Sequence, residues 1–147
     1  LIRTALFLVI ALVVLANNGR AYTQEALTLT VVVSGATPRT GQALGSLFDS
    51  KDTYLKNPIQ ETIVAIDETG RATLTFDGLG AGTYAVSVIY DEDADGELDT
   101  GFLGIPTESI AMSNNAKARF GPPGFEKTRF ELNSSKTIEI RFIKAKD

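Results

Sequence analysis

Beyond residue 26 the chain alternates apolar and polar residues with a period of two, the signature of strands half buried against a core. Leu27, Leu29, Val31 and Val33 alternate with Thr28, Thr30 and Val32 and predict a first strand. Ser34–Gly41, with Gly35, Pro38 and Gly41, carries turn chemistry, and a second strand follows over Gln42–Phe48. Asp49–Pro58 reads as a polar loop. Glu61–Ile66 predicts a third strand, and Asp67-Glu68-Thr69-Gly70 a tight turn. Ala72, Leu74 and Phe76 alternate with Arg71, Thr73 and Thr75 as a fourth strand. After the glycine-rich turn Asp77–Gly82, Thr83–Tyr90 is apolar on both faces, which places a fifth strand centrally in a sheet. Thr128–Leu132 and Lys136–Ile143 complete the set, the latter with Ile138, Ile140 and Phe142 turned inward.

Seven short strands joined by Gly, Pro and Asp turns, with no helical periodicity of useful length, predict an all-β fold. The expected architecture is a mainly antiparallel β-sandwich with Leu29, Val31, Leu74, Phe76, Val86, Val88, Ile138 and Ile140 in its core. Residues 91–127 stand apart, because they hold no convincing strand run. Structureless segments of that length are uncommon, and when ordered they usually carry function. Phe102, Phe120 and Phe125 are expected to pin this long loop to the sandwich as a satellite cluster.

The first residues follow a different pattern. Arg3 precedes an unbroken apolar run of 12 residues, Ala5–Ala16, and Gly19 and Ala21 supply the small residues of a cleavage site. A bilayer crossing takes ~20 apolar residues. Residues 1–21 are therefore expected to be a secretory signal peptide, and 22–147 a single exported domain, periplasmic or extracellular, without a transmembrane segment. Losing Arg3 and Arg20 takes the net charge from −4 to −6. Such an acidic surface argues against nucleic acid and anionic membranes as partners.

Composition narrows the chemistry further. The chain has no His, Cys or Trp. That removes Ser-His and Cys-His nucleophilic catalysis, most zinc and copper sites, iron–sulfur clusters and thiol redox exchange. No enzymatic acid/base pair stands out.

The sharpest local signal is Asp91-Glu92-Asp93-Ala94-Asp95-Gly96-Glu97-Leu98-Asp99, in which six of nine residues are acidic and none is basic. Close carboxylate pairs repel one another by ~1 kcal/mol even in water, and a divalent cation would offset that repulsion. Asp at loop positions 1, 3 and 5 and Gly at 6 match the opening of an EF-hand-type calcium loop. The side chains of Asp91, Asp93, Asp95 and Asp99 and the carbonyl of Glu97 are the expected ligands, with Gly96 making the backbone reversal and Leu98 anchoring the loop in the core. The twelfth position is Phe102, which cannot ligate; Glu108 or a carbonyl from elsewhere would have to replace the usual bidentate carboxylate. Calcium is the expected cofactor, held weakly, with Kd ~10⁻⁴ to 10⁻³ M.

Gly78–Leu132 carries five ordered motifs: Gly82–Ala85, Asp91–Asp99, Leu103–Pro106, Ser113–Asn115 and Gly121–Phe125. Together they resemble a bacterial family of exported proteins, domain-of-unknown-function family 2141, with residues 27–77 matching more loosely. The resemblance implies an exported β-sandwich and no established activity. That family often has His just before the acidic loop, where this chain has Tyr90. The stretch Gly78–Val88 also looks like the turn and strand of prealbumin-like sandwiches. Ser113-Asn114-Asn115 is expected to cap turns rather than line a ligand site. The functional expectation is a non-catalytic extracytoplasmic binding or structural module, stabilised by calcium, with a protein or glycan partner. The alternative is a carbohydrate-binding or weakly hydrolytic accessory domain using Tyr side chains and carboxylates.

Overall fold

A computed structural model describes residues 25–119 and 121–144. The expected signal peptide, residues 1–21, lies outside the described residues, as does Phe120. Eight strands form two sheets: β1 (Leu27–Ser34), β2 (Gln42–Phe48), β3 (Gln60–Ala65), β4 (Arg71–Leu79), β5 (Gly82–Asp91), β6 (Ser109–Met112), β7 (Phe130–Leu132) and β8 (Lys136–Arg141). The first sheet has the order β4-β1-β8 and the second β3-β2-β5-β6, with β7 also paired to β5. All pairings are antiparallel except β1 with β8, which run parallel from Leu29↔Lys136 to Ser34↔Arg141.

The all-β sandwich is as the alternation predicts, with one strand more. Ser109–Met112 lies inside the segment expected to be a loop and pairs with Ser87–Tyr90 of β5. Its run Ser-Ile-Ala-Met does not alternate, so nothing in its local pattern announces a strand. The expected sixth strand is also shorter than 128–132. One helical turn, α1 (Phe125–Thr128), takes the chain into β7, which starts at Phe130.

β5 is the central strand of its sheet, as its apolar character on both faces requires. Its inward residues Tyr84, Val86, Val88 and Tyr90 meet Leu29, Val31 and Val33 of β1 and Leu74 and Phe76 of β4 in one core. Of the expected core positions, Leu29, Val31, Leu74, Phe76, Val86, Val88 and Ile140 are buried. Ile138, near the start of edge strand β8, is half-buried and packs against the core from outside.

A second cluster lies on the opposite face of β5. Phe48, Tyr54, Ala85 and Phe125 pack there. The ring of Tyr54 stands edge-on to Phe48 at 5.4 Å and to Phe125 at 5.6 Å, and its hydroxyl donates to the Pro123 carbonyl at 3.0 Å. Phe125 thus fastens the long segment as expected, but Phe102 does not: it is 88% exposed.

Ser113-Asn114-Asn115 closes β6 with both asparagines in left-handed conformations, φ 60° and 49°. Asn tolerates that region better than most residues. Along one edge of β5, β6 covers Ser87–Tyr90 and β7 covers Gly82–Tyr84, which leaves a gap at Ala85 and Val86. The Ser113 hydroxyl fills it. It accepts from the Val86 N–H at 3.0 Å and donates to the Thr128 carbonyl at 2.6 Å. Asn114 Nδ2 donates to the carbonyls of Lys127 and Arg129, and the Arg141 N–H donates to Asn115 Oδ1. The motif is a structural fastener, as its turn-capping chemistry predicts.

Candidate metal centre

The acidic loop leaves the sandwich where β5 ends and β2 begins, with Gln42 opposite Asp91 in the register. The turn before β2 is tied to this corner by Tyr90. Its hydroxyl accepts from the Thr37 N–H at 3.1 Å and donates to the Thr40 carbonyl at 3.2 Å. Gly41 follows with φ 68°, and a Cβ there would collide with the Asp91 carbonyl oxygen. The position is therefore closed to any residue with a side chain.

Asp91 is fully buried. Its Oδ1 accepts from the Asp95 N–H at 3.2 Å, and its Oδ2 from the Gly96 N–H at 2.9 Å and the Gln42 side-chain amide at 2.7 Å. Two further bonds fold the loop over itself, Asp95 N–H to Asp93 Oδ1 at 3.4 Å and Glu97 N–H to Asp95 Oδ1 at 2.8 Å. Gly96 makes the expected reversal with φ 87°. Leu98 departs from expectation: it is half-buried and takes no part in the core clusters. The tight turns around it are held by carboxylates accepting N–H groups, so the loop needs no apolar anchor.

Beyond Asp99 the chain makes a small hairpin. The Thr107 N–H donates to the Asp99 carbonyl at 2.9 Å, Thr100 bridges Pro106, and the Gly101 N–H donates to the Ile105 carbonyl at 2.8 Å. Phe102, Leu103 and Gly104 form its tip. The returning arm brings in Glu108, a buried residue whose Oε1 accepts from the Glu92 N–H at 3.1 Å and whose Oε2 accepts from the Asp99 N–H at 3.0 Å.

Two groups of carboxylates result, each with its oxygens within 4.8 Å of one another. One is Asp91, Asp93 and Asp95; the other is Asp93, Asp99 and Glu108. Asp93 belongs to both. Either group could hold a metal ion, and an all-oxygen donor set suits a hard divalent cation. The spacing of aspartates announces the first group. Glu108 enters the second because the hairpin carries the chain past Phe102 and back. The Glu97 side chain is exposed and belongs to neither group. Gln42 is the contributor that the sequence does not reveal, since nothing local marks it as the partner of a residue on another strand.

The electrostatics follow from this crowding. Burial works to raise the Asp91 carboxyl, but hydrogen bonds from the Gln42 amide and from the N–H groups of Gly96, Ala94 and Asp95 outweigh it and hold it below the ordinary carboxylate range. Burial lifts Glu108 above that range; the N–H groups of Asp99 and Glu92 oppose the lift, and the charges of Asp91 and Asp99 add to it. Asp93 is also raised, by desolvation and then by the negative charge of Asp95, with Asp99 adding to it. The loop thus fixes one charge firmly while its neighbours ionise against resistance.

Among the described residues no helix is long and apolar enough to cross a membrane. Tyr54, Tyr84 and Tyr90 are buried, so none of them offers a face for a sugar to stack on. A family model described as an uncharacterized protein conserved in bacteria (DUF2141) matches residues 31–140. No curated protein and no solved structure matches the chain.

Proposed function

The chain belongs to the uncharacterised bacterial DUF2141 family, and we propose that it is a non-catalytic, exported binding or structural module whose acidic corner takes up calcium. The observation that supports this most is the sharing of Asp93 between two carboxylate groups that meet at the end of β5. Asp91, Asp93, Asp95, Asp99 and Glu108 would contribute side-chain oxygens, and Glu97 its carbonyl. Calcium takes 6–8 oxygen ligands in a flexible arrangement, whereas magnesium demands a tighter octahedron and gives up water reluctantly. A loop with a spread of carboxylates favours the former. The cation would offset the desolvation, and the like-charge repulsion behind it, that raise Asp93 and Glu108, and would tie the hairpin to the end of the sandwich.

Thermal unfolding with and without calcium tests this reading. At 10 to 100 times Kd, binding stabilises the fold by about 1.4 to 2.7 kcal/mol. For a domain of this size that is a rise in Tm of about 4 to 10 °C. Millimolar calcium giving neither heat in calorimetry nor a thermal shift would leave the corner a solvated acidic turn and end the proposal.

A further inference from the structure

The hairpin that carries Glu108 back to the acidic corner ends in an apolar tip held out in solvent. Phe102 is 88% exposed, Leu103 80% and Ile105 49%. The ladder Asp99–Thr107, Thr100–Pro106 and Gly101–Ile105 fixes them there. Leu103 sits at φ 64°, a left-handed conformation that disfavours a bulky side chain, and no core contact compensates it. No charged residue occurs in Gly101–Thr107.

We propose that this tip inserts into the interfacial region of a zwitterionic phospholipid bilayer. An aromatic side chain carries ~150–250 Å², so the three residues together expose on the order of 400 Å². A stable protein interface takes ~800 Å² per partner. The tip alone is too small an area for a stable interface with a second copy of the chain or a folded partner, but apolar side chains entering a bilayer each act separately and need no matching surface. Charge selects the headgroup. Asp99 stands at the foot of the hairpin and Asp93 and Asp95 lie in the carboxylate groups beside it; these exposed charges repel an anionic surface and complement the outward ammonium groups of phosphatidylcholine or phosphatidylethanolamine. The described chain enters at the opposite end of the sandwich, where Leu27 pairs with Leu79, so the tip is not occluded by that entry.

The chain has no tryptophan, so Phe102→Trp places one fluorophore at the tip, and Ile105→Trp gives a second reporter. Insertion does not require the cation, so the full chain is titrated in chelator with phosphatidylcholine vesicles, some carrying brominated acyl chains. A failure here is thereby separated from a failure of the calcium reading. The apolar run at residues 5–16 can itself bring the chain to lipid, so insertion of the tip is read from the bromine quenching of Phe102→Trp and Ile105→Trp relative to Ile63→Trp in the same chain, not from recruitment alone. The expected result is a blue shift with bromine quenching, a partition about tenfold weaker when Leu103→Ser is added, and weaker insertion as phosphatidylglycerol is mixed in. Ile63→Trp, on β3 and 62% exposed, should stay unshifted. An unshifted tip at millimolar lipid overturns the proposal, as does an equal shift at Ile63→Trp. So do tighter insertion into anionic vesicles and a shift that depends on protein concentration without lipid, the mark of self-association.

Discussion

Replacing Ser113 by alanine removes a hydroxyl that does the work of a missing strand. In the gap between β6 and β7 the Val86 N–H and the Thr128 carbonyl have this oxygen as their partner. Val86, Ser113 and Thr128 are all fully buried, so water does not readily take its place. An unsatisfied buried donor or acceptor costs ~1–3 kcal/mol. Two of them, with partial relaxation, predict a loss of about 3 kcal/mol for Ser113→Ala. At this chain length that lowers Tm by about 10 °C. Urea unfolding with linear extrapolation measures the loss, and an unchanged m-value shows that the same surface is exposed on unfolding. Ser134→Ala, in the exposed turn between β7 and β8, is the control and should stay within ~0.5 kcal/mol. A loss below ~1 kcal/mol for Ser113→Ala with unchanged m would refute the gap-filling role.

Three further outcomes are expected. Asp93→Asn strikes both carboxylate groups at an exposed position, so it should abolish the calcium-induced rise in Tm while changing metal-free stability by less than ~0.5 kcal/mol; scanning calorimetry with and without calcium reads both. Gly41→Ala forces a Cβ into the Asp91 carbonyl at a left-handed position and should cost about 2 kcal/mol or more in chemical unfolding, with a weakened calcium response. Asp67 is held below the ordinary carboxylate range by the Thr69 hydroxyl and then by the N–H groups of Arg71 and Thr69; its stabilisation is complete above its unfolded value of ~3.9 and is lost as pH falls from there through its lower folded value. Asp67→Asn should therefore flatten part of the acid limb of a Tm-against-pH curve, and identical limbs in both proteins would contradict the shift.

The sandwich was legible wherever one face of a strand is wet. Leu27–Val33 and Arg71–Phe76 alternate because β1 and β4 each turn one side to the core, and their bounds follow from that. β6 escaped because its four residues are mostly buried by neighbours rather than by an alternating face, so only its pairing to β5 defines it. Nor does alternation carry direction: Ile138 and Ile140 face the core equally well in a parallel or an antiparallel β8, and the parallel pairing with β1 is set by the path of the chain. In the acidic corner, spacing exposed the aspartates because a tight loop brings near neighbours together. Glu108 and Gln42 reach the same corner through a hairpin and a strand register, and these distances along the chain leave no local mark. The Phe at the twelfth position, which looks like a broken motif in one dimension, is a tip in three.

The parallel pairing of β1 with β8 has a consequence for how the domain comes into being. β1 lies between β4 and β8, and the bond from the Thr28 N–H to the Ser135 hydroxyl spans 107 positions. A chain emerging from its N-terminus can zip β2 to β3 early through a short connection, and β1 to β4 once the residues from Ser34 to Arg71 between them have arrived. It cannot close the other edge of β1, or shield that side of the core with Ile140, until Lys136–Arg141 has arrived. Contacts of such long range form slowly, because loop closure must precede any gain from pairing. The first sheet is therefore completed only when its last strand arrives. A partly delivered chain keeps an open strand edge and an unsealed core, and is exposed to proteases until the last strand docks.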